Sequence, residues 1–478
     1  MCKRSPPARI LRPVHRMFTN GEWDRFFRSV PNACRVAPNA RSGGRDMTAV
    51  QNRTDLAEQW PAPAEPQMVG SDPFFDAPSG FEDAPEGTVL RYRDVSIGFL
   101  GRIKQKVRAT QLLYRTVNMH GVPEVTVTTV ISPLRGAKAG APLVSYQCAI
   151  DSLHPKTFPS YVLQHGVRTE DASFPQIEYL FIAAAVAKGW TVSVPDHGGQ
   201  AGRWGIPREP GYMVLDGLRA ALSHEPLGLA ADTRLGVWGY SGGGLATSWA
   251  AEIAPSYAPE LNLIAGAVGA PVSDPGNVFV YLNNTLFTGL PTLVIAALAR
   301  EYPTLREVLA EHVNDKGRKL FYEDALDWSP ERAIRKMAHK DFGYYCDIPF
   351  EDIARLPKLL EIFDDIRPGQ SAPTMPMLVV QSTKDQISPV TDAEAHVGRY
   401  SAGGTHVEYV TDQWSDHFSM HFLSAPMLLG WLADRLDGKP VAAAGHRHKR
   451  TIMASPQQLG RTLRLVGTLT RVGLGRRI

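Results

Sequence analysis

Residues 235–245 read Leu-Gly-Val-Trp-Gly-Tyr-Ser-Gly-Gly-Gly-Leu. The apolar run Leu235–Trp238 is typical of a buried strand, and Gly243–Ile253, rich in small residues, predicts a helix. Between them the chain matches G-x-S-x-G, with Ser241 at the centre. Such a serine sits in a strained turn from strand to helix, and flanking glycines remove the Cβ clashes of that turn. The alternative is a glycine-rich turn in which Ser241 only caps the helix.

Strand and helix patterns alternate on both sides of this motif. Runs rich in β-branched and aromatic residues predict strands at Leu90–Phe99, Ala109–Val117, Glu124–Ser132, Leu143–Gln147, Trp190–Val194, Ile264–Val268, Met377–Gln381 and His406–Val410. Helices are predicted at Phe174–Lys188, Tyr212–Leu222, Asp392–Tyr400 and Met420–Leu436. The alternation predicts an α/β fold, with a mostly parallel sheet flanked by helices on both faces.

The alternation stops over residues 275–370, where helical patterns broken by prolines predict a helical cap inserted into the sheet. The core then has two parts, residues 87–274 and residues 371–437. Three further segments are predicted outside it: a basic disordered arm at 1–46, an extended arm or linker at 47–86, and a basic tail at 438–478.

The charge of the chain is unevenly distributed. Residues 1–46 hold ten Lys/Arg and three Asp/Glu, and residues 447–478 hold eight Lys/Arg and no acid. Since the whole chain carries +3, residues 47–446 carry a net −12. Phosphate contacts need clustered Lys and Arg on the folded domain, so no nucleic-acid partner is expected.

The cysteines Cys2, Cys34, Cys148 and Cys346 form no CxxC pair, and no metal or cofactor is expected. A disulfide between Cys148 and Cys346 stays open at this point. No apolar stretch approaches the ~20 residues of a membrane span, and the basic N-terminal segment lacks the apolar run of a signal peptide. These features predict a cytoplasmic protein.

A serine hydroxyl is a weak nucleophile and needs a histidine base that a carboxylate orients. On a sheet of this class the order along the chain is Ser, acid, His, and each follows a strand. Asp385 follows Met377–Gln381, and His417 follows His406–Val410. We therefore predict Ser241, Asp385 and His417 as a catalytic triad.

Other residues compete for these roles. Asp385 could be a solvated turn residue, while Asp392 and Asp412 are alternative acids. His421 lies four residues beyond the predicted base, on a helix face expected to pack against the core. His197 follows an earlier strand and is expected near the rim of the site.

The oxyanion of an acyl-transfer reaction needs hydrogen-bond donors. The backbone N–H of Gly242, which follows the nucleophile at the start of a helix, is the first predicted donor. A second donor is expected from the loop after Gln147, which contains no His-Gly-Gly motif.

Several of these segments together resemble the secretory lipase family, over residues ~85–440. The matching segments are Ser145-Tyr146-Gln147, Asp151-Ser152, Pro159-Ser160-Tyr161, Val194-Pro195-Asp196-His197-Gly198-Gly199, Gly211-Tyr212, Leu215-Asp216-Gly217-Leu218-Arg219-Ala220, Gly239-Tyr240-Ser241-Gly242-Gly243-Gly244, Gly269-Ala270-Pro271 and Trp431-Leu432-Ala433-Asp434-Arg435. The resemblance implies an α/β-hydrolase fold with an inserted helical cap and the same triad. It also implies that Asp151 is the oxyanion-loop residue. Members of the family are largely secreted.

The expected function is a serine carboxylester hydrolase acting on hydrophobic acyl esters, and the resemblance suggests triacylglycerol. The apolar segments Val278–Phe287 and Pro291–Ala299 of the cap favour such a substrate. The alternatives are an acyltransferase with the same triad and a catalytically silent lipid carrier. Oligomeric state is not predicted.

The tail combines apolar residues at 459, 463, 466 and 469 with arginines at 461, 464 and 471. This spacing is compatible with a basic amphipathic helix that makes peripheral contact with an anionic membrane. Four glycines in the segment weaken a helix by ~1 kcal/mol each, so a disordered solubilising tail is the favoured prediction.

Overall fold

The strand that precedes Ser241 lies inside a large mixed sheet. The computed structural model describes residues 57–167 and 173–478, so the predicted arm at 1–46 and the first ten residues of the 47–86 segment lie outside it. The strands are β1 (Glu58–Gln59), β2 (Val89–Asp94), β3 (Gly98–Phe99), β4 (Ile103–Lys104), β5 (Val107–Val117), β6 (Pro123–Pro133), β7 (Leu143–Gln147), β8 (Thr191–Pro195), β9 (Leu235–Tyr240), β10 (Leu263–Gly269), β11 (Met377–Ser382), β12 (Val407–Asp412) and β13 (Gly445–Lys449).

Eleven of these strands form one sheet in the order β1-β2-β5-β6-β8-β7-β9-β10-β11-β12-β13, while β3 and β4 form a separate hairpin. Neighbours from β8 to β13 are all parallel, and the long β5–β6 pair and its neighbours β2 and β8 are antiparallel. The predicted α/β fold with a mostly parallel sheet is confirmed.

Helices cover both faces of the sheet. They are α1 (Pro159–Val162), α2 (Phe174–Val186), α3 (Glu209–Ser223), α4 (Gly242–Tyr257), α5 (Pro275–Tyr281), α6 (Gly289–Glu301), α7 (Pro303–His312), α8 (Asp315–Tyr322), α9 (Pro330–Met337), α10 (Phe350–Ile353), α11 (Pro357–Asp365), α12 (Val390–Ala402), α13 (His417–Leu436) and α14 (Pro456–Gly473). One apolar core lies between the sheet and α2, α13 and α14, and a second lies between the sheet and α3, α4 and α12. Burial on both faces explains why strands such as β9 are apolar throughout rather than alternating.

The chain between β10 and β11 forms helices α5 to α11 and no strand. These helices share a third apolar core, to which Trp204 and Leu245 of the sheet-bearing part also contribute. We propose that this block is the inserted cap, with the predicted bounds 275–370.

The prediction of a disordered C-terminal tail is wrong. Strand β13 adds to the edge of the sheet beside β12, and α14 packs against α13 and α2. Helix α14 buries Leu465 and Val472 in the core, and Arg461 Nη2 lies 2.7 Å from Asp434 Oδ2. This burial and pairing outweigh the low helix propensity of the glycines.

The structure also defines the state of two cysteines and the character of the long helices. Cys148 and Cys346 are both free thiols and do not form a disulfide. Among the described residues, none of the helices combines the length and apolar character that a membrane span requires.

Candidate active site

Ser241 lies at a sharp turn between β9 and α4. Its backbone adopts φ +53° and ψ −121°, a conformation that costs a residue with a side chain about 1–3 kcal/mol. The Ser241 N–H donates to the carbonyl of Gly269 at the end of β10, 2.9 Å away, which helps to hold the turn. A Cβ on Gly239 would lie 2.2 Å from the Gly243 carbonyl oxygen, and one on Gly243 would lie 2.0 Å from the Gln147 carbonyl oxygen. The glycines of the motif are therefore required by close backbone contacts.

The predicted triad residues meet at this turn. His417 Nε2 lies 2.8 Å from Ser241 Oγ, and His417 Nδ1 lies 2.7 Å from Asp385 Oδ2. Because a carboxylate only accepts hydrogen bonds, Nδ1 carries the proton and Nε2 is left to accept from the serine hydroxyl. All three side chains are buried. This arrangement can activate the serine as a nucleophile.

The strand register brings these residues together. Ser382, the last residue of β11, pairs with Asp412, the last residue of β12, so the loops that follow both strands leave the same edge. His417 is the first residue of α13, whose start is fixed by reciprocal hydrogen bonds between Asp416 and Ser419.

The Asp385 carboxylate is held by its own loop. Its Oδ1 accepts backbone N–H bonds from Ile387 at 2.9 Å and Ser388 at 2.7 Å, and Oδ2 accepts from Gln381 Nε2 at 3.2 Å. These bonds hold the carboxyl group in place and aim Oδ2 at the histidine. Asp385 is thus an oriented buried carboxylate rather than a solvated turn residue.

The competing acids lie elsewhere. Asp392 accepts from Asn277 at the cap. Asp412 holds its own loop, since it accepts backbone N–H bonds from Trp414, Ser415 and Ile452. Burial alone would raise the pKa of Asp412. The hydrogen bonds together have the larger, opposite effect, so the pKa is lowered.

His421 and His197 lie beside the site without joining the triad. The ring of His421 stacks on Tyr240, with centroids 4.1 Å apart, and its Nε2 lies 3.3 Å from Glu178 Oε1. His197 is buried, and its Nε2 lies 2.8 Å from the carbonyl oxygen of Cys148. This contact helps to hold the loop after β7 in place.

Asp151 packs directly against Gly242, the residue after Ser241. A Cβ placed on Gly242 would lie 1.9 Å from Asp151 Oδ1 and 3.1 Å from Trp204 Nε1. Both polar atoms are buried, and neither has a hydrogen-bond partner among the described residues. Asp151 also adopts a left-handed backbone with φ +47°. Two unpartnered polar groups and the first N–H of α4, which has no acceptor within its helix, therefore converge next to Ser241.

Burial raises the pKa of Asp151 to about 8, with smaller contributions from the charges of Glu178 and Glu331. A carboxyl group with this pKa is protonated at neutral pH and can donate a hydrogen bond. Glu178 also fixes the position of the loop, since it accepts from the Ala149 N–H at 2.9 Å and from the Tyr146 hydroxyl at 3.0 Å.

Ser241 stands between two small cavities. The first is lined by apolar side chains of the cap and of the sheet-bearing part, namely Trp204, Leu245, Val272, Val278, Phe279, Leu290, Val294, Ile295, Leu298, Phe363, Ile366 and Ile387. The second, on the histidine side, is lined by residues that include Phe174, Tyr240, Ile334, His417, Phe418 and His421. The first has an open volume of about 30 Å³, space for only one or two water molecules. An acyl chain would therefore have to displace side chains of this lining.

Sequence reasoning missed Trp204 and Glu178 as neighbours of the site. Trp204 lies in a loop after β8, and Glu178 lies inside the otherwise apolar helix α2. A glutamate in such a helix was the available signal, because a buried charge requires partners. Within the part of the chain that the structure describes, no cluster of His, Cys, Asp and Glu has the arrangement of a metal site.

Comparisons with known proteins agree on one family. A family model described as secretory lipase matches residues 163–444. A protein of Mycobacterium tuberculosis named probable inactive lipase is 47% identical over 416 residues, which cover 86% of this chain and 92% of that protein. Lipase A of Arthroderma benhamiae is 32% identical, and the alignment covers 80% of this chain and 82% of that protein.

Among solved structures, Candida antarctica lipase A in its closed state superimposes with a TM-score of 0.73 at 22% sequence identity. The superposition covers 83% of this chain and 94% of the Candida antarctica chain. The fold is therefore that of the lipase A-like α/β-hydrolases. Because the matching family model is described as secretory, the predicted cytoplasmic location is not supported.

Proposed function

We propose that this chain, which belongs to the secretory lipase family, is an active serine hydrolase that cleaves hydrophobic carboxylic esters. The observation that carries the proposal is the continuous hydrogen-bonded series from Asp385 through His417 to Ser241, which opens on an apolar cavity. A nucleophile, a base, an orienting acid and an apolar binding surface are the parts that ester hydrolysis needs.

In the proposed mechanism, His417 Nε2 takes the proton of Ser241 as Oγ attacks the ester carbonyl carbon. The Gly242 N–H and the protonated Asp151 stabilise the oxyanion, and Asp385 stabilises the imidazolium. The intermediate collapses, and the leaving alcohol takes the proton from His417. Water then gives a proton to His417 as its oxygen attacks the acyl-enzyme carbonyl carbon. The bond from that carbon to Ser241 Oγ breaks, His417 returns the proton to Oγ, and the acid is released.

The proposed role of Asp151 predicts a loss of activity at alkaline pH. Its pKa is raised to about 8, so the group is neutral and can donate below that pH but is anionic and repels the oxyanion above it. We expect the rate of tributyrin hydrolysis, measured by pH-stat titration, to fall by about tenfold per pH unit above pH ~8.

The matched variant is Asp151→Asn, which keeps a donor that does not titrate. We expect its activity to stay level over the same alkaline range. An equal alkaline decline in both proteins would remove Asp151 from the oxyanion site.

The apolar cavity predicts a preference that depends on acyl-chain length. Val294 lines this cavity and is only partly buried, so a larger side chain is tolerated there. We expect Val294→Phe to lower kcat/KM for p-nitrophenyl decanoate by about tenfold or more. The acetate ester, whose methyl group is too short to require displacement of the lining, should be hydrolysed at the wild-type rate. An equal decline on both esters would show that the cavity does not hold the acyl chain.

A silent lipid carrier is the second candidate, favoured by the name of the Mycobacterium tuberculosis relative. The two proposals differ in turnover, because a carrier binds long-chain esters without releasing p-nitrophenol. A chain-length series of p-nitrophenyl esters, assayed with the full chain, tests the hydrolase directly. Release that exceeds the blank, together with a preference among chain lengths, supports hydrolysis. Binding of a fluorescent fatty acid without release from any ester would favour the carrier.

A further inference from the structure

Helix α14 is firmly attached to the body through one of its faces. Leu465 and Val472 are buried in the core beside α13 and α2. The Val472 carbonyl accepts from Gln105 Nε2 at 3.1 Å, and Arg461 pairs with Asp434. The opposite face of the helix is therefore held in a fixed position on the surface.

That opposite face is apolar and exposed. Leu459, Leu463, Val466 and Leu474 are 54%, 64%, 50% and 60% exposed. Their spacing places Leu459, Leu463 and Val466 along one side of the helix, and Leu474 directly follows its last residue. The described part of the chain has 14 exposed large hydrophobic residues. Four of them lie within the 16 residues 459–474. We call these four residues the apolar stripe. A clustered apolar surface of this kind marks an interaction site.

Arginines lie beside the stripe. Arg464 and Arg471 are exposed, and the structure gives neither of them an ion pair with any described residue. On the helix they lie about 100° from the stripe, between it and the buried face. Exposed Arg476 and Arg477 follow, and residues 450–478 contain no acid.

Arg464 and Arg471 also line a groove between α14 and helices α2 and α13. Its basic side chains are Lys188, Lys439, Arg461, Arg464 and Arg471, and its acidic ones are Asp434 and Asp437. Asp434 is already paired with Arg461 and Lys439. Burial and the charges of Arg464 and Arg461 lower the pKa of Lys188, which is consistent with a local excess of positive charge.

We propose that α14 binds an anionic lipid surface, with the apolar stripe inserted among the acyl chains and the arginines in contact with lipid headgroups. An apolar face bordered by arginines has the chemistry of a helix that lies in a membrane interface. A second copy of the chain fits less well, because pairing two stripes would bring their arginines together. The proposed contact shares no lining residue with the cavities at Ser241 and does not depend on catalysis.

The test is co-sedimentation of the full chain with vesicles of phosphatidylcholine alone or mixed with phosphatidylglycerol. We expect the partition coefficient to be at least about tenfold higher for the anionic vesicles, and to fall as salt is raised to about 0.5 M. The double variant Leu463→Asp/Val466→Asp should bind the anionic vesicles at least about tenfold more weakly. The double variant Arg464→Gln/Arg471→Gln should lose most of the preference for anionic lipid.

The control variant is Leu134→Asp, at a position 45% exposed in the loop after β6, which should bind as the wild type does. Circular dichroism melting establishes that each variant is folded. Equal binding to both kinds of vesicle, or stripe variants that bind like the wild type, would overturn the proposal. A wild-type dimer that the stripe substitutions dissociate, without vesicle binding, would assign the stripe to a second copy instead.

Discussion

Replacing Ser241 by alanine is expected to lower kcat for an ester substrate by about 10⁵–10⁶-fold. The Ser241 hydroxyl oxygen lies 2.8 Å from His417 Nε2, and the acyl-enzyme cannot form without it. The remaining donors near Gly242 could still bind the substrate, so KM should change far less than kcat. Steady-state hydrolysis of p-nitrophenyl butyrate measures both quantities.

Ser248→Ala is the matched control for this variant. Ser248 is buried in the same helix, and its hydroxyl donates to the Gly244 carbonyl at 2.9 Å without contacting the triad. Activity close to wild type in Ser248→Ala, together with loss in Ser241→Ala, is the expected pattern. Retained turnover in Ser241→Ala would place the nucleophile elsewhere.

The second large effect is expected for Asp385→Asn, which should lower kcat by about 10⁴-fold. Backbone N–H groups of Ile387 and Ser388 face Oδ1, so the amide oxygen of an asparagine keeps that position. The amide NH₂ then faces His417 Nδ1 and forces the ring proton onto Nε2. In that tautomer the ring cannot take the proton of Ser241. The pH dependence of kcat should show partial recovery at alkaline pH, where a serine alkoxide becomes accessible.

Asp392→Asn serves as the control for the acid. Asp392 contacts Asn277 at the cap, and its conversion to the amide should leave kcat almost unchanged. A large loss in Asp392→Asn with normal activity in Asp385→Asn would mean that the acid is wrongly assigned.

The sequence predicted the parts of the site that depend on local patterns and strand order. The turn at Ser241 is predictable because Gly239 and Gly243 are needed within a few residues of it. Asp385 and His417 are predictable because parallel strands end at one edge, so loops distant along the chain meet. The catalytic roles of these residues stay predictions until the variants are measured.

Other parts of the site depend on tertiary contacts that no short pattern encodes. Trp204 approaches Gly242 from a loop without regular structure, and Glu178 reaches the Ala149 N–H from the middle of a helix. The high pKa of Asp151 likewise arises from burial, which the sequence does not reveal.

The C-terminal segment shows how packing can reverse a prediction from propensity. The four glycines favoured disorder there, but Leu465 and Val472 pack into the core beside α13 and α2 and order the helix. The sequence pattern at 459, 463, 466 and 469 identified one helix face at its first three positions, whereas Leu469 is partly buried and packs against the core. In the structure this face points to solvent, and the buried face lies on the other side of the helix.

We expect Ser241 to form a covalent acyl-enzyme, and an alkyl fluorophosphonate probes this step because it reacts with an activated serine. The measurement is intact-mass spectrometry of the folded full chain after incubation with the reagent, followed by mapping of the modified peptide. The acyl-enzyme mechanism requires a single adduct on Ser241 that is absent from Ser241→Ala and forms much more slowly in Asp385→Asn. An unmodified wild-type chain, or an adduct that persists in Ser241→Ala, would contradict it.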